Sequence, residues 1–598
     1  MSKEGMSRRG FLRGAALTGA GVLMAGAAVG CSPKAAESGA ANAETVSGGG
    51  ASPAHRWQSE AAAAWRTPID PIADDQIADG GTFDVVVVGG GQSGTWCARS
   101  ASMNGASVAV LETQSEADFL YVGGEVGTVN CQWALEHGAT EIDREDFMNE
   151  LFRRNAGRSN QRLIRDYVYH SGEYLDWALE DLDDPDWLND PANVHVFSAD
   201  HSENMVMDPS GYKYYLGTVN FRPAAETGAP TWNWGEKVMK HHRDKAIEDG
   251  TQWNWAYRAL YLEKDDSGRI AAVIAQKLDD ETYHRFTANK GVVLAAGDFS
   301  ADEDMLRDIN DEYRHLAESY GSIEAAAAGS MFGVRNGDGL KMGVWAGGHV
   351  EVGPRAGMNT GQVGTGAPWG PGFVILNQSG RRFCDECAGG AEGAGYMIPR
   401  QPRGYVVSIA DANWREVVEK MPPCHGGIDQ TNGVSYNSLE SNAAKIDAAQ
   451  PSSEADENGL FCANTLEELL DAIGIYDDDQ KATALAELER FNGFAANGKD
   501  EDFAMDPRIL KALDTPPFYA TVAASDAISM GLCQTAGLDI SSEHEVLDEM
   551  LAPMPGLYSI GNNSGNRYIV NYATPLSGMS LGFCLTEGMT LGKKLAEA

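Results

Sequence analysis

The densest group of side chains that could do chemistry lies near the C-terminus, in the segment MPGLYSIGNNSGNRYIVNYATPLSGMSLGFCLTEG at residues 554–588. The segment begins like a turn and strand, ends like a helix, and carries Arg567, Tyr568 and Tyr572 in between. Arginine and tyrosine donate hydrogen bonds to carbonyl oxygens, and in a dry site either can protonate a carbanion-like carbon. The segment is therefore a candidate active site. The alternative for each residue taken alone is ordinary: a buried tyrosine often only packs, and an arginine often forms an ion pair.

A second group has the spacing of a dinucleotide site. In FDVVVVGGGQSG, a β-branched run at residues 85–88 predicts a buried parallel strand, and Gly89, Gly91 and Gly94 follow it in G-x-G-x-x-G order. The first glycine permits a tight turn, the second lets backbone amides approach a pyrophosphate, and the third lets the next helix pack closely. A second strand ends in Glu112, which could accept hydrogen bonds from ribose hydroxyls. These residues indicate a dinucleotide but leave open which one.

Several elements must position these two groups. A helix is predicted over residues 96–104 and a strand over 107–111, after the glycine loop. Further along, the pattern predicts a hairpin that turns at 266–268, a buried strand at 292–296, a helix opening at 337–339 and a strand at 557–560. The last helix should begin near Gly578, with its N-terminal amides placed to stabilise an anion.

Taken in order, these motifs resemble those of the superfamily of FAD proteins that contains fumarate reductases and 3-ketosteroid dehydrogenases. The resemblance extends from about Trp57 onward and is carried by VVVVGGGQSG, VVLAAGDF, NGDGLKMGVWAGG, ILNQSGRRFCDE, PGLYSIGN and LSGMSLG. It implies an α/β fold, with a discontinuous Rossmann-like FAD-binding domain and an inserted α+β domain that caps the substrate. The implied boundaries are 82–348 and 516–598 for the FAD-binding domain and 349–515 for the cap.

The resemblance also implies how non-covalent FAD is held. The pyrophosphate would lie on the glycine loop, the adenosine ribose at Glu112, and the flavin ring at the N-terminus of the last helix. The cofactor-binding residues predicted in this way are Gly89, Gly91, Ser93, Gly94, Glu112, Gly123, Gly124, Glu125, Ala296, Gly297, Asp338, Gly561, Asn562, Ser580 and Leu581.

In this superfamily a hydride moves between flavin N5 and a carbon near an activating carbonyl. The branch that reduces dicarboxylates has an arginine acid after its RFxxE segment, a histidine in a His-Thr-x-Gly-Gly segment and an arginine before LGGNAL. This chain has alanine, glycine and glutamate at the first place, Gln534 at the second and Pro575 at the third. Two buried carboxylates would then lack partners, at a cost of several kcal/mol. We therefore expect a substrate other than fumarate.

The catalytic candidates that this leaves are Arg400, Arg567, Tyr568 and Tyr572, with Tyr396 and Arg403 beside them. The segment RQPRG resembles one found in enzymes of larger enones and steroid-like substrates, and it makes Arg400, or a tyrosine, the expected proton donor. No metal site is predicted, because the pair in CDEC lacks the two further ligands that a structural zinc site needs. No Cys-x-x-Cys-His haem motif occurs in the sequence, so we expect a separate electron donor, a multihaem cytochrome or a quinol dehydrogenase.

The N-terminal sequence and the charge predict a location outside the cytoplasm. SRRGFLRGAALTGAGVLMAGAAVGC resembles a twin-arginine export signal that ends in a lipobox, which would make Cys31 the lipidated residue of a signal at 1–31. Residues 32–81 would be a flexible lead-in that tethers the protein to the outer face of the cell membrane. The net charge of -40 excludes nucleic acid as a partner and suits either a basic protein partner or a solvated acidic surface.

Three functions stay open at this stage. The first is a reductase that adds hydride to an activated C=C bond of an enone, acrylate or steroid-like molecule. The second is a dehydrogenase of the same fold that introduces a C=C bond into a ketone. The third is a flavin lipoprotein that only relays electrons, although a relay would not need a capping domain.

Overall fold

The computed structural model describes residues 63–198, 204–221, 235–310, 314, 335–355, 357–361, 373–387, 397–422, 439–525 and 528–598. The predicted signal with Cys31, and Tyr396 in the cap, lie outside these ranges. None of the helices described is both long enough and apolar enough to cross a bilayer.

The strands are Ile77–Val88 (β1), Val108–Leu111 (β2), Glu125–Gly127 (β3), Val194–Val196 (β4), Thr218–Phe221 (β5), Gln252–Asn254 (β6), Tyr257–Lys264 (β7), Ile270–Lys277 (β8), Tyr283–Leu294 (β9), Gly357–Gly361 (β10), Val374–Leu376 (β11), Tyr405–Ala410 (β12), Phe461–Ala463 (β13), Phe518–Ala524 (β14), Ile528–Gln534 (β15), Glu545–Leu547 (β16) and Pro553–Ser559 (β17). The α-helices are Gln92–Met103 (α1), Gln132–Glu136 (α2), Arg144–Arg154 (α3), Gln161–Leu182 (α4), Pro185–Leu188 (α5), Glu236–Glu248 (α6), Glu303–Ile309 (α7), Asp338–Trp345 (α8), Trp414–Val418 (α9), Leu439–Ala448 (α10), Leu466–Ile473 (α11), Asp478–Asn497 (α12) and Met579–Glu597 (α13).

The elements predicted around the two chemical groups are confirmed, with shifted ends. Helix α1 begins four residues earlier than predicted, because Gly91 is its N-cap and the helix starts inside the glycine motif. The hairpin is β7–β8, the helix opened by Gly337 is α8, and the last helix starts directly after Gly578. Gly337 and Gly578 both have positive φ, a conformation that glycine adopts without strain.

The largest sheet has the strand order β16-β17-β9-β1-β2-β6, with β8 paired to β9 and β7 paired to β8. Strands β17, β9, β1, β2 and β6 run parallel. In β1, Val85 and Val87 pack into the core beside α1 and α13, while Val86 and Val88 pack into a second core with Phe299. The valine run is therefore uninterrupted because both faces of this strand are buried.

Because parallel strands end at the same edge of a sheet, the loops after β1, β2, β9 and β17 converge there. These are the loops that carry the glycine motif, Glu112, residues 295–297 and Gly561. The sheet thus brings together four segments that are scattered over the sequence.

The inserted domain is built on an antiparallel sheet of order β11-β12-β14-β13, whose core includes Trp414 and Phe491. A two-stranded ribbon flanks the insertion. Strand β10 precedes the capping sheet in the chain, strand β15 follows it, and the two strands pair with each other. Strand β14 begins after the predicted end of the cap at residue 515, yet it pairs with β12 and β13. The capping sheet therefore extends past that boundary, because the short apolar run of β14 does not show which sheet it will join.

The last helix, α13, packs on α1 at very short distance through two glycines. A Cβ on Gly588 would lie 2.8 Å from the carbonyl oxygen of Ser93, and one on Gly592 would lie 2.7 Å from Cβ of Ser100. Contacts this close leave no room for a methyl group. The small residues therefore set the spacing between the helix that follows the glycine loop and the helix that ends the chain.

We predict that Gly592→Ala destabilises the protein by about 1–3 kcal/mol, because the added methyl group forces α13 away from α1. The matched control is Gly493→Ala in α12, where no atom lies within 4 Å of the new Cβ. Thermal unfolding should show a lower melting temperature for the first variant and an unchanged or higher one for the second. Equal melting temperatures would contradict the close packing of the two helices.

Candidate functional site

A cleft opens at the carboxyl edge of the parallel strands. Its walls come from the glycine loop, the ends of β2 and β9, the hairpin strand β7, the start of α8 and the start of α13. Ten of the predicted cofactor-binding residues line it, namely Gly89, Gly91, Ser93, Glu112, Ala296, Gly297, Asp338, Asn562, Ser580 and Leu581.

The other five predicted residues are not among those that line the cleft. Gly94 packs its bare α-carbon against the carbonyl oxygen of Gly89, as the motif requires. A Cβ on Gly123 would stand 3.0 Å from Cδ1 of Leu581, and the carbonyl of Gly124 accepts a hydrogen bond from Phe221. The last two are Glu125, which starts β3, and Gly561, which follows β17.

Two glycines in the wall indicate that the cleft has room for an extended dinucleotide. At Gly91 and Gly297, both in the wall, a Cβ would have no protein atom within 4 Å and would project into open space. The backbone at these two positions is therefore accessible to a ligand. The N-terminus of α13, at Ser580 and Leu581, faces the same space and favours negative charge there.

Glu112 lies at the end of β2 with its side chain almost entirely buried. Its carboxylate accepts hydrogen bonds from the backbone N–H groups of Gly90 at 2.8 Å and Gln114 at 2.9 Å. Burial raises the pKa of Glu112 above its usual value, and these two N–H groups offset only part of that rise. A carboxylate has about four acceptor positions, so acceptor capacity is left for ribose hydroxyls.

Two arginine–aspartate pairs in the wall were not found from the sequence. Arg258 in β7 donates two hydrogen bonds to Asp338, at 2.8 and 3.0 Å, and Arg335 donates one to Asp298 at 2.8 Å. All four residues line the cleft. Asp338 was predicted from its motif, but its partner is 80 residues away in the chain, so no local pattern could link the two.

Arg567 has no exposed surface and lies behind Asn562. Its Nη2 donates to the carbonyl oxygen of Gly561 at 2.6 Å and to Oδ1 of Asn562 at 3.2 Å. On the other side, Glu587 of α13 accepts a hydrogen bond from the N–H of Gly561 at 2.8 Å, and its second oxygen lies 3.8 Å from Nε of Arg567. Arg567 and Glu587 thus hold Gly561 from both ends, which gives Arg567 a positioning role, and its predicted catalytic role stays a prediction.

Tyr568 and Tyr572 are also buried, with ring centroids 4.9 Å apart, in a cluster with Tyr167 and Phe583. Burial raises the pKa of the Tyr568 hydroxyl well above its usual value. Among the described residues this hydroxyl has no hydrogen-bond partner. A buried hydroxyl in that position is able to bond to a ligand, so the predicted catalytic role of the tyrosines stays a prediction.

The predicted cap residues Arg400 and Arg403 lie at the surface of the inserted domain. Arg400 is exposed and ends a short 3₁₀ helix, Ile398–Arg400, that contacts β10, and Arg403 is exposed three residues later. Neither arginine lines the cleft, so their roles stay predictions. Gln534, at the place of the dicarboxylate histidine, is fully buried at the end of β15 and accepts a hydrogen bond from Asn310 at 3.0 Å.

Glu351 is a buried acid that the sequence did not single out. It follows the isolated bridge at Val350 and accepts a hydrogen bond from the N–H of Asn566, next to Arg567. Its other oxygen has no hydrogen-bond partner among the described residues. Burial raises the pKa of Glu351 to about 7, although the N–H of Asn566 and the charges of Arg355 and Arg567 oppose the shift.

Comparison with known proteins agrees with this geometry. A family model described as "FAD binding domain" matches residues 84–581. The chain is 26% identical over 594 residues to a digoxin reductase of Eggerthella lenta, covering 94% of this chain and 91% of the relative. It is 25% identical to a vinyl phenol reductase of Lactiplantibacillus plantarum, covering 87% and 98%.

A solved structure has the same fold. It is the 3-ketosteroid-Δ4-(5α)-dehydrogenase of Rhodococcus jostii in complex with 4-androstene-3,17-dione, with a TM-score of 0.61, 19% identity, and coverage of 89% of this chain and 100% of that one.

We predict that Arg567→Met destabilises the protein by about 3–5 kcal/mol and lowers FAD retention, because it leaves Glu587 buried without its partner charge. Unfolding in urea and the FAD absorbance of the purified protein measure the two effects. The double variant Arg567→Met, Glu587→Gln should recover part of the lost stability, since no unpaired charge is left. A single variant as stable as the wild type, with full FAD, would contradict the clamp.

A second prediction concerns pH. The folded state keeps a proton on Glu351 up to about pH 7, whereas an unfolded glutamate loses it near 4.5. The folded state therefore binds more protons between these values, and the stability from Glu351 is lost as pH rises through that window, by about 3 kcal/mol in all. The free energy of unfolding of Glu351→Gln, measured at pH 5, 6, 7 and 8, should fall less with rising pH than that of the wild type.

The control for this experiment is Glu467→Gln on the exposed face of α11, where the side chain is 70% exposed. Its stability should follow the wild-type pH dependence. If Glu351→Gln also follows the wild type, the buried carboxyl does not hold its proton in the folded state.

Proposed function

The chain belongs to the FAD binding domain family, within the superfamily of fumarate reductases and 3-ketosteroid dehydrogenases, and it binds FAD; from this premise we propose that it is a reductase of activated C=C bonds. The observation that carries the proposal is the cleft at the carboxyl edge of the parallel strands, closed at one end by the N-terminus of α13. The backbone N–H groups at this helix end could stabilise negative charge on the redox-active ring of a bound dinucleotide.

When bound, FAD supplies a hydride for the β-carbon of the alkene. The protein must then hold the alkene, keep water away and deliver a proton to the α-carbon. Ser580 and Leu581 at the start of α13 stabilise negative charge on the ring side of the cleft. Asn562, held by Arg567, forms the adjacent wall.

We propose Arg400, or a tyrosine of the 568–572 segment, as the proton donor. Arginine and tyrosine both carry a donor proton near neutral pH, and a donor placed against a carbanion-like carbon accelerates its protonation by about 10²–10⁴-fold. Arg400 belongs to the inserted domain, so closing that domain over the cleft would complete the site and exclude water.

The proposed substrate class follows from two positions at which the dicarboxylate-reducing branch has a histidine and an arginine. Gln534 is a neutral amide engaged with Asn310, and the carbonyl of Pro575 accepts a hydrogen bond from Tyr215. Neither position offers a cation for a second carboxylate. We propose an enone, an aryl acrylate or a steroid-like alkene rather than fumarate, and the relatives that reduce digoxin and vinyl phenol support this choice.

Electrons would come from a separate donor, either a multihaem cytochrome or a quinol dehydrogenase. The sequence contains no c-type haem motif, and its net charge of -40 suits a basic electron-transfer partner. We propose that the reaction takes place outside the cytoplasm, after twin-arginine export, on a protein anchored through lipidated Cys31.

The FAD-loaded protein should be reduced with a low-potential dye and mixed with cinnamates, steroids, other enones and fumarate. We expect at least one enone or acrylate to reoxidise it faster than a control without substrate, with fumarate close to that control. If no alkene reoxidises it and a saturated ketone instead reduces an acceptor dye, the dehydrogenase of the same fold replaces the reductase. If neither reaction occurs, the remaining function is that of a flavoprotein that only relays electrons.

Substitution at Arg400 tests the proton donor. Arg400→Ala should lower alkene turnover by about 10²–10⁴-fold without loss of FAD, because the side chain is exposed and outside the cleft wall. Arg403→Ala, at an exposed arginine of the same segment, is the matched control and should keep most of the activity. Equal losses in both variants would contradict a specific role for Arg400 in proton transfer.

A further inference from the structure

Three side chains that can bind metal meet behind the dinucleotide helix, where two other helices touch. They are Asp181 at the end of α4 and the adjacent His241 and His242 in α6. Nε2 of His241 lies 3.1 Å and Nδ1 of His242 lies 3.5 Å from Oδ2 of Asp181. One nitrogen or oxygen from each residue lies within 4.8 Å of both others.

The hydrogen bonding of His242 leaves a lone pair facing this carboxylate. Its Nε2 lies 3.1 Å from the carbonyl oxygen of Ala178, which can only accept, so Nε2 must carry a proton. The side chain of His242 has no exposed surface, and its Nδ1 has no hydrogen-bond partner among the described residues. In the neutral ring with its proton on Nε2, Nδ1 has a free lone pair. This lone pair faces Oδ2 of Asp181 at 3.5 Å, and the same oxygen forms a hydrogen bond with Nε2 of His241 at 3.1 Å.

The surroundings also suit a cation. The rings of Trp96 and Trp177 pack against His242, with centroids 4.6 and 5.3 Å away, and shield one side from water. Arg99 of α1 lies 3.4 Å from the other oxygen of Asp181 and also pairs with Asp249. The two carboxylates of Asp181 and Asp249 thus outnumber the one guanidinium of Arg99, and a divalent cation would offset the excess negative charge.

We propose that Asp181, His241 and His242 form a binding site for a divalent transition-metal cation of the zinc class. Two imidazole nitrogens and one carboxylate oxygen are ligands that zinc prefers, and ligand atoms around tetrahedral zinc lie about 3.3 Å apart. The two separations to Asp181 match that spacing. The side chains of His241 and Asp181 are 22% and 24% exposed, so water can take the fourth position.

The carbonyl of Ala178 acts as the outer partner that fixes the ring of His242, as such partners do at known metal sites. A bound cation would fasten α6 to α4 at the point where Arg99 and Trp96 of α1 contact both. Since α1 follows the glycine loop, the site would brace the dinucleotide-binding helix from behind. Its role is therefore structural and independent of the substrate that the enzyme reduces.

The test uses the FAD-loaded protein without a histidine tag, stripped of metal and titrated with Zn²⁺ by calorimetry. We expect one tight site per chain and a higher melting temperature with zinc. Asp181→Asn and His241→Ala should each weaken this binding by more than about 100-fold, since losing a ligand costs more than losing an outer partner. Both side chains are partly exposed, and the FAD absorbance verifies that each variant is folded.

Two controls separate metal binding from general effects. Asp249→Asn removes the other carboxylate partner of Arg99 without touching a ligand, and His170→Ala removes a histidine of α4 that is 42% exposed. Both should bind zinc within about tenfold of the wild type. X-ray absorption of the zinc-loaded protein should show only nitrogen and oxygen ligands. The proposal fails if the wild type binds zinc no better than Asp181→Asn, if Asp249→Asn loses binding equally, or if sulfur lies in the coordination shell.

Discussion

Close backbone contacts around the glycine loop set the positions of the main helices and strands. Gly94 touches the carbonyl of Gly89, and α13 approaches α1 where Gly588 and Gly592 lack side chains. These contacts hold the first and last helices of the main domain against the same strands, although more than 470 residues separate them in the chain. Because protein interiors are close-packed, a single methyl group at these points would move the cleft walls. The shape of the cleft thus depends on glycines at the positions where a side chain would not fit.

Buried charge is the second organising feature. The main domain places Arg567 and Glu587 on opposite ends of one peptide, at Gly561, where the last parallel strand gives way to the cleft wall. A buried ion pair of this kind contributes little net stability, but losing one partner is costly, so the pair fixes one geometry. The aspartate–arginine pairs at Asp338 and Asp298 join other wall segments in the same way. The wall is held by charge-assisted bonds between segments that no local pattern connects.

The inserted domain contributes differently. Its sheet has an apolar core, which also includes Val206 of the main domain. The ribbon of β10 and β15 joins the two domains, and so do two polar contacts: the N–H of Val206 donates to the carbonyl of Lys420, and Arg508 pairs with Asp208. Arg400 lies beside that ribbon, so a proton donor at this position would approach the cleft only with the cap. The buried carboxyl of Glu351 lies at the start of the same connection, against the 565–567 turn.

The sequence alone indicated the fold class and a dinucleotide at the glycine loop, and the resemblance of its motifs to a superfamily of FAD proteins added which dinucleotide. Each depends on local signals: a β-branched run, glycines at fixed spacing, and an acid at the end of a strand. Each of these signals can be recognised from a few neighbouring residues. Tertiary structure alone decided that Arg567 supports Gly561, that Arg258 pairs with Asp338, and that β14 joins the capping sheet. It also decided that Asp181 meets His241, 60 residues away, and the adjacent His242. Side-chain partners across long separations depend on how whole helices and strands pack, and a spacing pattern read along the chain carries no record of that packing.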